Sequence, residues 1–321
     1  MVKFRDAKYC NLKLFLIFLV VYGHLLEPQL DTSAAAAIQY RAIYLVHMPL
    51  FAFLTGLFAQ SAKTCGSQCK RLFILYAGAQ AFALAVGGTT QPLTPYWHLW
   101  YLLSSVFWFA AAWVWFRFAK GKGRFGILAA AILLGCAVGW IPWADRAWSF
   151  SRTVAFFPYF WAGILCDSRY DWKKLRTKAA AACAVVICVV IFLGNQLPLT
   201  FLYHAEAYPH PLYDTPLRLL CYLLGGTLCV AFLAFTPMRR LSLTPIGADT
   251  LPIYLLHAPI VSFLRRLPLA WPVWIVVSAI LVCGIYAATQ LRRGRPQIVP
   301  IELQNPRWPL FKQFSKRPQI H

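Results

Sequence analysis

The sequence predicts an all-α integral membrane protein: a bundle of about ten transmembrane helices with the N- and C-termini cytoplasmic. Three observations carry this. The 321 residues are 60% hydrophobic and 13% charged, against about 25% charged in a soluble domain. Apolar segments fall near 12–28, 40–60, 72–88, 98–117, 125–141, 151–167, 179–196, 215–235, 248–264 and 270–290, each close to the roughly 17–25 residues a helix needs to cross a bilayer. With the N-terminus inside, 25 of the 31 Lys and Arg lie in segments facing the cytoplasm, leaving Arg41, Arg146, Arg152, Arg218, Arg265 and Arg266 elsewhere. That loop-by-loop alternation is the positive-inside pattern, and an odd number of spans would break it. The net charge of +21 would suggest nucleic acid in a soluble protein. Here it reads as membrane topology, with lipids and no nucleic acid as partners.

The first segment opens behind Lys3, Arg5 and Lys8 and lacks a small-residue cleavage site, so it reads as a retained helix in place of a signal peptide. It carries Lys13 at its foot and His24 and Glu27 deep inside. Lys13 to His24 is roughly 16 Å of helix at 1.5 Å per residue. His24 and Glu27, three residues apart, share one helix face. Ionisable groups at membrane depth are functional-site candidates by default; the structural alternative is hydrogen bonding between helices. The second segment, from Tyr40, places His47 roughly 10 Å below its outer edge by the same rise. The ninth places His257 about halfway across. For these two, interhelical hydrogen bonding and a place in a polar cavity are equally open.

The third segment opens on Lys70 and Arg71, a pair that fits both positive-inside bias and the needs of a phosphorylated cytosolic ligand. Arg41, Arg152 and Arg218 start segments at the outer face. Snorkelling to headgroups accounts for Arg218, whereas Arg152 precedes Pro158, where a broken helix would turn backbone groups into a cavity. The outer loop 195–214 carries His204, Glu206, His210 and Asp214; the spacing fits no zinc pattern, so no metal is expected and a solvated loop is. None of the ten cysteines falls in an outer loop, which excludes a disulfide framework. Cys65 and Cys69 fall in a cytoplasmic loop, and the span cysteines read as small packers. From 291 to 321 a basic cytoplasmic tail follows, suited to the inner leaflet. No internal repeat is visible, unlike many secondary transporters.

Joint features resemble a known family. Lys13-x10-His24, GHLLEP (Gly23–Pro28), HMPLFAFLTGLF (His47–Phe58), WHLWYLLS (Trp97–Ser104), FFPYFWAG (Phe156–Gly163) and IGADTLPIYLLHAPIV (Ile246–Val261) occur in order. In this the chain is similar to the membrane acyltransferase-3 family and, within it, the fucose 4-O-acetylase-like group. The resemblance implies a ten-helix acyltransferase domain over residues 1–290 in the cytoplasmic (inner) membrane. It implies an O-acetyltransferase that takes acetyl from cytoplasmic acetyl-CoA, with no bound cofactor. The acceptor it implies is a sugar hydroxyl of a cell-surface polysaccharide or its lipid-linked precursor. It marks His24 as essential, either as general base or as transient acyl carrier. Glu27 is then placed to orient the imidazole, as a carboxylate does in a triad. Lys13, Lys70 and Arg71 are donor-binding candidates; Arg41, His47, Arg152 and His257 are acceptor-binding candidates. The family's Arg-x-x-Arg motif at the third span is incomplete, since Gln68 stands where the first Arg would be. The rival readings are a transporter or flippase for a lipid-linked glycan, which needs a polar interior without acyl transfer, and a structural partner in polysaccharide assembly. Translocation in vesicles lacking an acyl donor marks the first, and a dispensable His24 the second.

Overall fold

A computed structural model describes residues 4–119, 122–143, 146–168, 170–193 and 197–293, and these are all-helical. Lys3, Lys120, Arg169, the start of the 195–214 loop and the tail from 294 lie outside the described residues. The α-helices are α1 Phe4–Leu26, α2 Ala34–Leu57, α3 Ala62–Ala85, α4 Trp100–Val114, α5 Arg124–Ala137 and α6 Phe150–Leu165. They continue with α7 Arg176–Leu193, α8 Leu199–Tyr203, α9 Pro211–Phe235, α10 Thr244–Ala248, α11 Leu251–Leu264 and α12 Trp271–Arg293. Apart from the five-residue α8 and α10, each helix answers to one of the expected apolar segments. Among the described residues, five stretches are long and apolar enough to cross a membrane: Ala7–Gln29, Ala34–Leu57, Trp97–Ala119, Pro211–Phe235 and Trp271–Arg292. Only 22% of the last is buried, so its outward apolar face suits lipid.

Local chemistry sets the helix starts. The Ser33 hydroxyl accepts from Ala36 N at 3.3 Å and opens α2. Ser61 does the same for Thr64 N at 3.2 Å and opens α3, satisfying amides that have no partner within the helix. This cap starts α3 at Ala62, a full ten residues before the apolar run, because a capped polar turn extends a helix beyond its hydrophobic stretch. Cys65 and Cys69 therefore belong to α3, with Cys65 buried, in place of the expected loop. Pro211 occupies the first turn of α9, and Asp214 accepts from His210 N at 2.8 Å, a capping contact that draws on proline's fit at helix starts.

The hairpin of α1 and α2 is the centre. α1 packs against α2, α10, α11 and α12, while α2 lies most extensively along α6 and also on α9. The α2–α6 contact is close because Gly56 and Gly163 face each other's helix: a Cβ at Gly56 would overlap the Phe160 carbonyl, and one at Gly163 the Phe53 carbonyl. Small residues of this kind let membrane helices approach. Asn11 ties α1 to the segment before α10, donating to the Pro237 and Arg239 carbonyls at 3.0 Å each and accepting from Thr244 Oγ1 at 2.5 Å.

Three expectations need correction. The loop after α7 is solvated only in part: Glu206 and His210 are exposed, whereas His204 and Asp214 are buried with Leu197, Phe201, Leu202, Ala205 and Tyr208, because α8 returns its apolar face to α2. Arg218 does not snorkel. It is 1% exposed, donates to the Tyr208 hydroxyl at 3.0 Å and the Phe201 carbonyl at 3.4 Å, and lies over the rings of both. The folded-back loop supplies the partners that water would otherwise provide. Pro158 lies inside α6 without ending it, so backbone groups are not turned into a cavity there.

Candidate active site

A cavity of about 810 Å³ opens between α1, α2, α3, α4, α6 and α11, within the range of small-molecule sites. Along α1 its wall runs from Lys13 to Glu27, roughly 21 Å of helix and so most of the thickness of a bilayer core. Lys13 shares its end of the cavity with Gln60, Thr64 and Gln68 from the α2–α3 junction, while Arg146, Arg152 and Tyr203 contribute at the end of Glu27. Ring systems dominate the walls between: Tyr44, Trp97, Trp100, Tyr101, Phe156 and Tyr254.

Lys13, His24, Glu27, His47 and Arg152 all line this one cavity, which the alternation of antiparallel helices achieves by bringing the foot of α1 to the end of α2. His24 stands on the last turn of α1. Its Nδ1 is buried without a hydrogen-bond partner, which leaves Nε2 as the nitrogen available to the cavity. His47 directs Nδ1 at the Ile43 carbonyl, 2.7 Å away. A carbonyl only accepts, so Nδ1 carries the proton and the neutral ring keeps Nε2 as an acceptor. Arg152 donates through Nε to the Tyr203 carbonyl at 3.1 Å and lies 4.9 Å from the Trp100 ring centre. The rest of its guanidinium remains available beside the aromatic wall.

Glu27 lines the cavity without its expected role, and the other predicted residues lie off the cavity wall. Glu27 does not reach the His24 ring as a triad carboxylate; it pairs with Arg265 at 3.0 Å, because the turn after α1 aims it at the end of α11. Arg41 is buried against the Leu197 and Ala37 carbonyls at 3.1 and 3.2 Å and is absent from the cavity wall. Lys70 and Arg71 do not open α3. They sit more than two turns inside it on an exposed face, and Gln68 lines the cavity instead. His257 is fully buried behind His24 and takes no part in the wall.

Residues that sequence reasoning passed over complete the site. The Trp97 ring lies 4.7 Å from that of His24 and 5.2 Å from the Arg265 guanidinium. Imidazole, indole, Arg265 and Glu27 thus form one chain. Trp97 holds a backbone φ of +30°, a strained value for a non-glycine residue that costs about 1–3 kcal/mol. His98 follows, buried with neither ring nitrogen partnered. Tyr101 meets Thr55 at 2.7 Å across the cavity. The signal for all three is in the Trp97–Ser104 block, but a Trp-His pair at a helix start also reads as an interfacial anchor. Among the described residues no group of three or more His, Cys, Asp or Glu side chains is placed to hold a metal ion.

Fold and site together define a multi-pass membrane protein whose polar, aromatic-walled interior presents an imidazole to a cavity running along its first helix. The chain belongs to the acyltransferase-3 family: the model of that family, described as an acyltransferase domain, matches residues 10–290. No curated protein and no solved structure matches the chain.

Proposed function

We propose that this membrane acyltransferase moves acetyl from cytoplasmic acetyl-CoA to a sugar hydroxyl of a cell-surface polysaccharide or its lipid-linked precursor. We propose further that it acts in the cytoplasmic membrane through ten crossings with both termini inside. The observation that carries the reading is the placement of His24 on a cavity with a lysine at one end and an arginine among aromatic rings at the other. Such a passage suits a charged donor entering from one side and a carbohydrate from the other, since sugar rings pack on aromatic faces while the charged end needs cations. The likeness of GHLLEP and HMPLFAFLTGLF to the fucose 4-O-acetylase-like group supports a carbohydrate acceptor without making fucose the sugar.

In this reading His24 Nε2 takes the proton of the acceptor hydroxyl as its oxygen bonds to the acetyl carbon. The carbon–sulfur bond of the thioester breaks, and the same proton passes from His24 to the departing thiolate. Lys13 holds donor phosphate with the amide and hydroxyl groups of Gln60, Thr64 and Gln68. Lys70 and Arg71, exposed on α3, act at longer range by attracting the polyanionic donor. Arg152 and His47 bind the acceptor, the latter through its Nε2 lone pair. Arg41 supports the wall from behind.

The test is transfer of label from radiolabelled acetyl-CoA to cell-envelope glycan, in membranes holding wild type or His24→Ala at equal insertion. Label is expected on glycan with wild type only, a loss of about 100-fold or more. Label retained on the protein itself would make His24 an acyl carrier. Normal transfer by His24→Ala would remove it from the chemistry. Glycan translocation by the purified protein without any acyl donor would favour a flippase.

A further inference from the structure

The catalytic reading needs His24 in one tautomer, with Nδ1 protonated and Nε2 open to the cavity, and some group must hold that proton on Nδ1. Glu27, the expected partner, is taken up by Arg265. The Trp97 indole beside the ring is a donor only and has nothing to accept with. What remains is His257. It is 0% exposed, and its ring lies 5.6 Å from that of His24, tilted by only 21°. Its Nδ1 faces two carbonyls, Tyr254 at 2.7 Å and Ile253 at 3.1 Å. Both only accept, so His257 is locked with the proton on Nδ1, and Nε2 is an acceptor in every neutral state. That Nε2 is buried without a partner, and so is Nδ1 of His24.

Two facing rings thus carry one unmet acceptor and one unmet nitrogen whose proton is undecided. Ring rotations that turn the in-plane N–H of His24 toward the in-plane lone pair of His257 satisfy both, and an unsatisfied buried polar group is costly enough to favour that contact. Contacts of this kind tighten when substrate binds. We propose that His257 is the positioning residue of His24: its fixed Nε2 lone pair draws the proton of His24 to Nδ1 and leaves His24 Nε2 as the base. His98, edge-on to His257 at 5.2 Å, is the competing donor for the same lone pair. Both of its ring nitrogens are buried without partners, so its removal is the control for this assignment. The tautomer rests on these two rings closing onto each other, and its consequence for rate rests on the acyl-transfer reading.

Two measurements keep these apart. In the full chain labelled with ¹⁵N-histidine and held in lipid nanodiscs, long-range proton–nitrogen correlations report which nitrogen of His24 is protonated, with His24→Ala assigning the signals. Wild type is expected to show Nδ1–H. His257→Leu is expected to move the proton to Nε2 or mix the two forms. His257→Gln, whose amide oxygen accepts, restores Nδ1–H, and His98→Leu leaves it in place. A wild-type His24 with Nε2–H overturns the proposal without any variant, as does an Nδ1–H state untouched by His257→Leu. In the transfer assay His257→Leu is expected to lower kcat by about 10–100-fold at unchanged KM for the donor, with recovery in His257→Gln; a change in KM alone would also overturn it. If wild type transfers no acetyl to any acceptor, the acyl-transfer reading fails while the tautomer result stands.

Discussion

An imidazole in the interior of a membrane protein is defined by what its two nitrogens meet, and the histidines here divide on that basis. His47 and His257 each spend Nδ1 on a backbone carbonyl of their own helix, whereas His24 and His98 spend none. The carboxylate three residues after His24 behaves differently from what its spacing suggests. Sharing a helix face is a statement about Cβ directions, and α1 gives way to a 3₁₀ turn at Glu27–Gln29, which swings the carboxylate toward Arg265. That pair is about one third exposed on each side, so its worth is modest, about 0.2–1 kcal/mol. Glu27→Gln and Arg265→Gln are each expected to lower the thermal midpoint in detergent slightly, and the double substitution to cost less than the two singles together. Strict additivity would show that the pair is not coupled.

At the scale of elements, the α2–α6 seam is the most demanding contact. His47 and Met48 of α2 and Arg152 and Phe156 of α6 reach the cavity from helices held together at Gly56 and Gly163. Gly163→Val places a branched side chain against the Phe53 and Leu57 backbone and is expected to destabilise the fold by about 1–3 kcal/mol or more, as overpacking does. Gly78, on α3, meets nothing within 4 Å at its Cβ position. Gly78→Ala is expected to be neutral or stabilising by about 0.5–1 kcal/mol. Thermal unfolding of both variants in the same detergent checks the contrast, and equal midpoints would show that the seam tolerates a wider spacing.

For the molecule as a whole, the proposed crossing pattern sets the loop after α1 outside and the start of α3 inside. Asp31 and Ser67 are both exposed, one at each place. In a background with the exposed Cys188 and Cys283 replaced by Ala, Asp31→Cys is expected to react with an impermeant maleimide on intact cells. Ser67→Cys is expected to react only after permeabilisation. The reverse pattern would invert the bundle and exchange the donor and acceptor ends of the cavity.

Apolar run length, basic-residue alternation and the quoted motif blocks are local properties of the chain, and they were enough for the helical membrane architecture, the order of the elements and the choice of His24, Lys13, His47 and Arg152 as candidates, all of which line one cavity. They were enough because hydrocarbon forces each backbone segment to satisfy itself as a helix, so the span pattern is written residue by residue. Side-chain pairing is decided between helices far apart in sequence. Glu27 meets Arg265, His24 faces His257, Arg218 is enclosed by the returning 197–208 segment, and Lys70 and Arg71 turn away from the cavity that Gln68 enters. Each of these depends on helix rotation and on the close glycine contacts that set it, and only the packed bundle determines those.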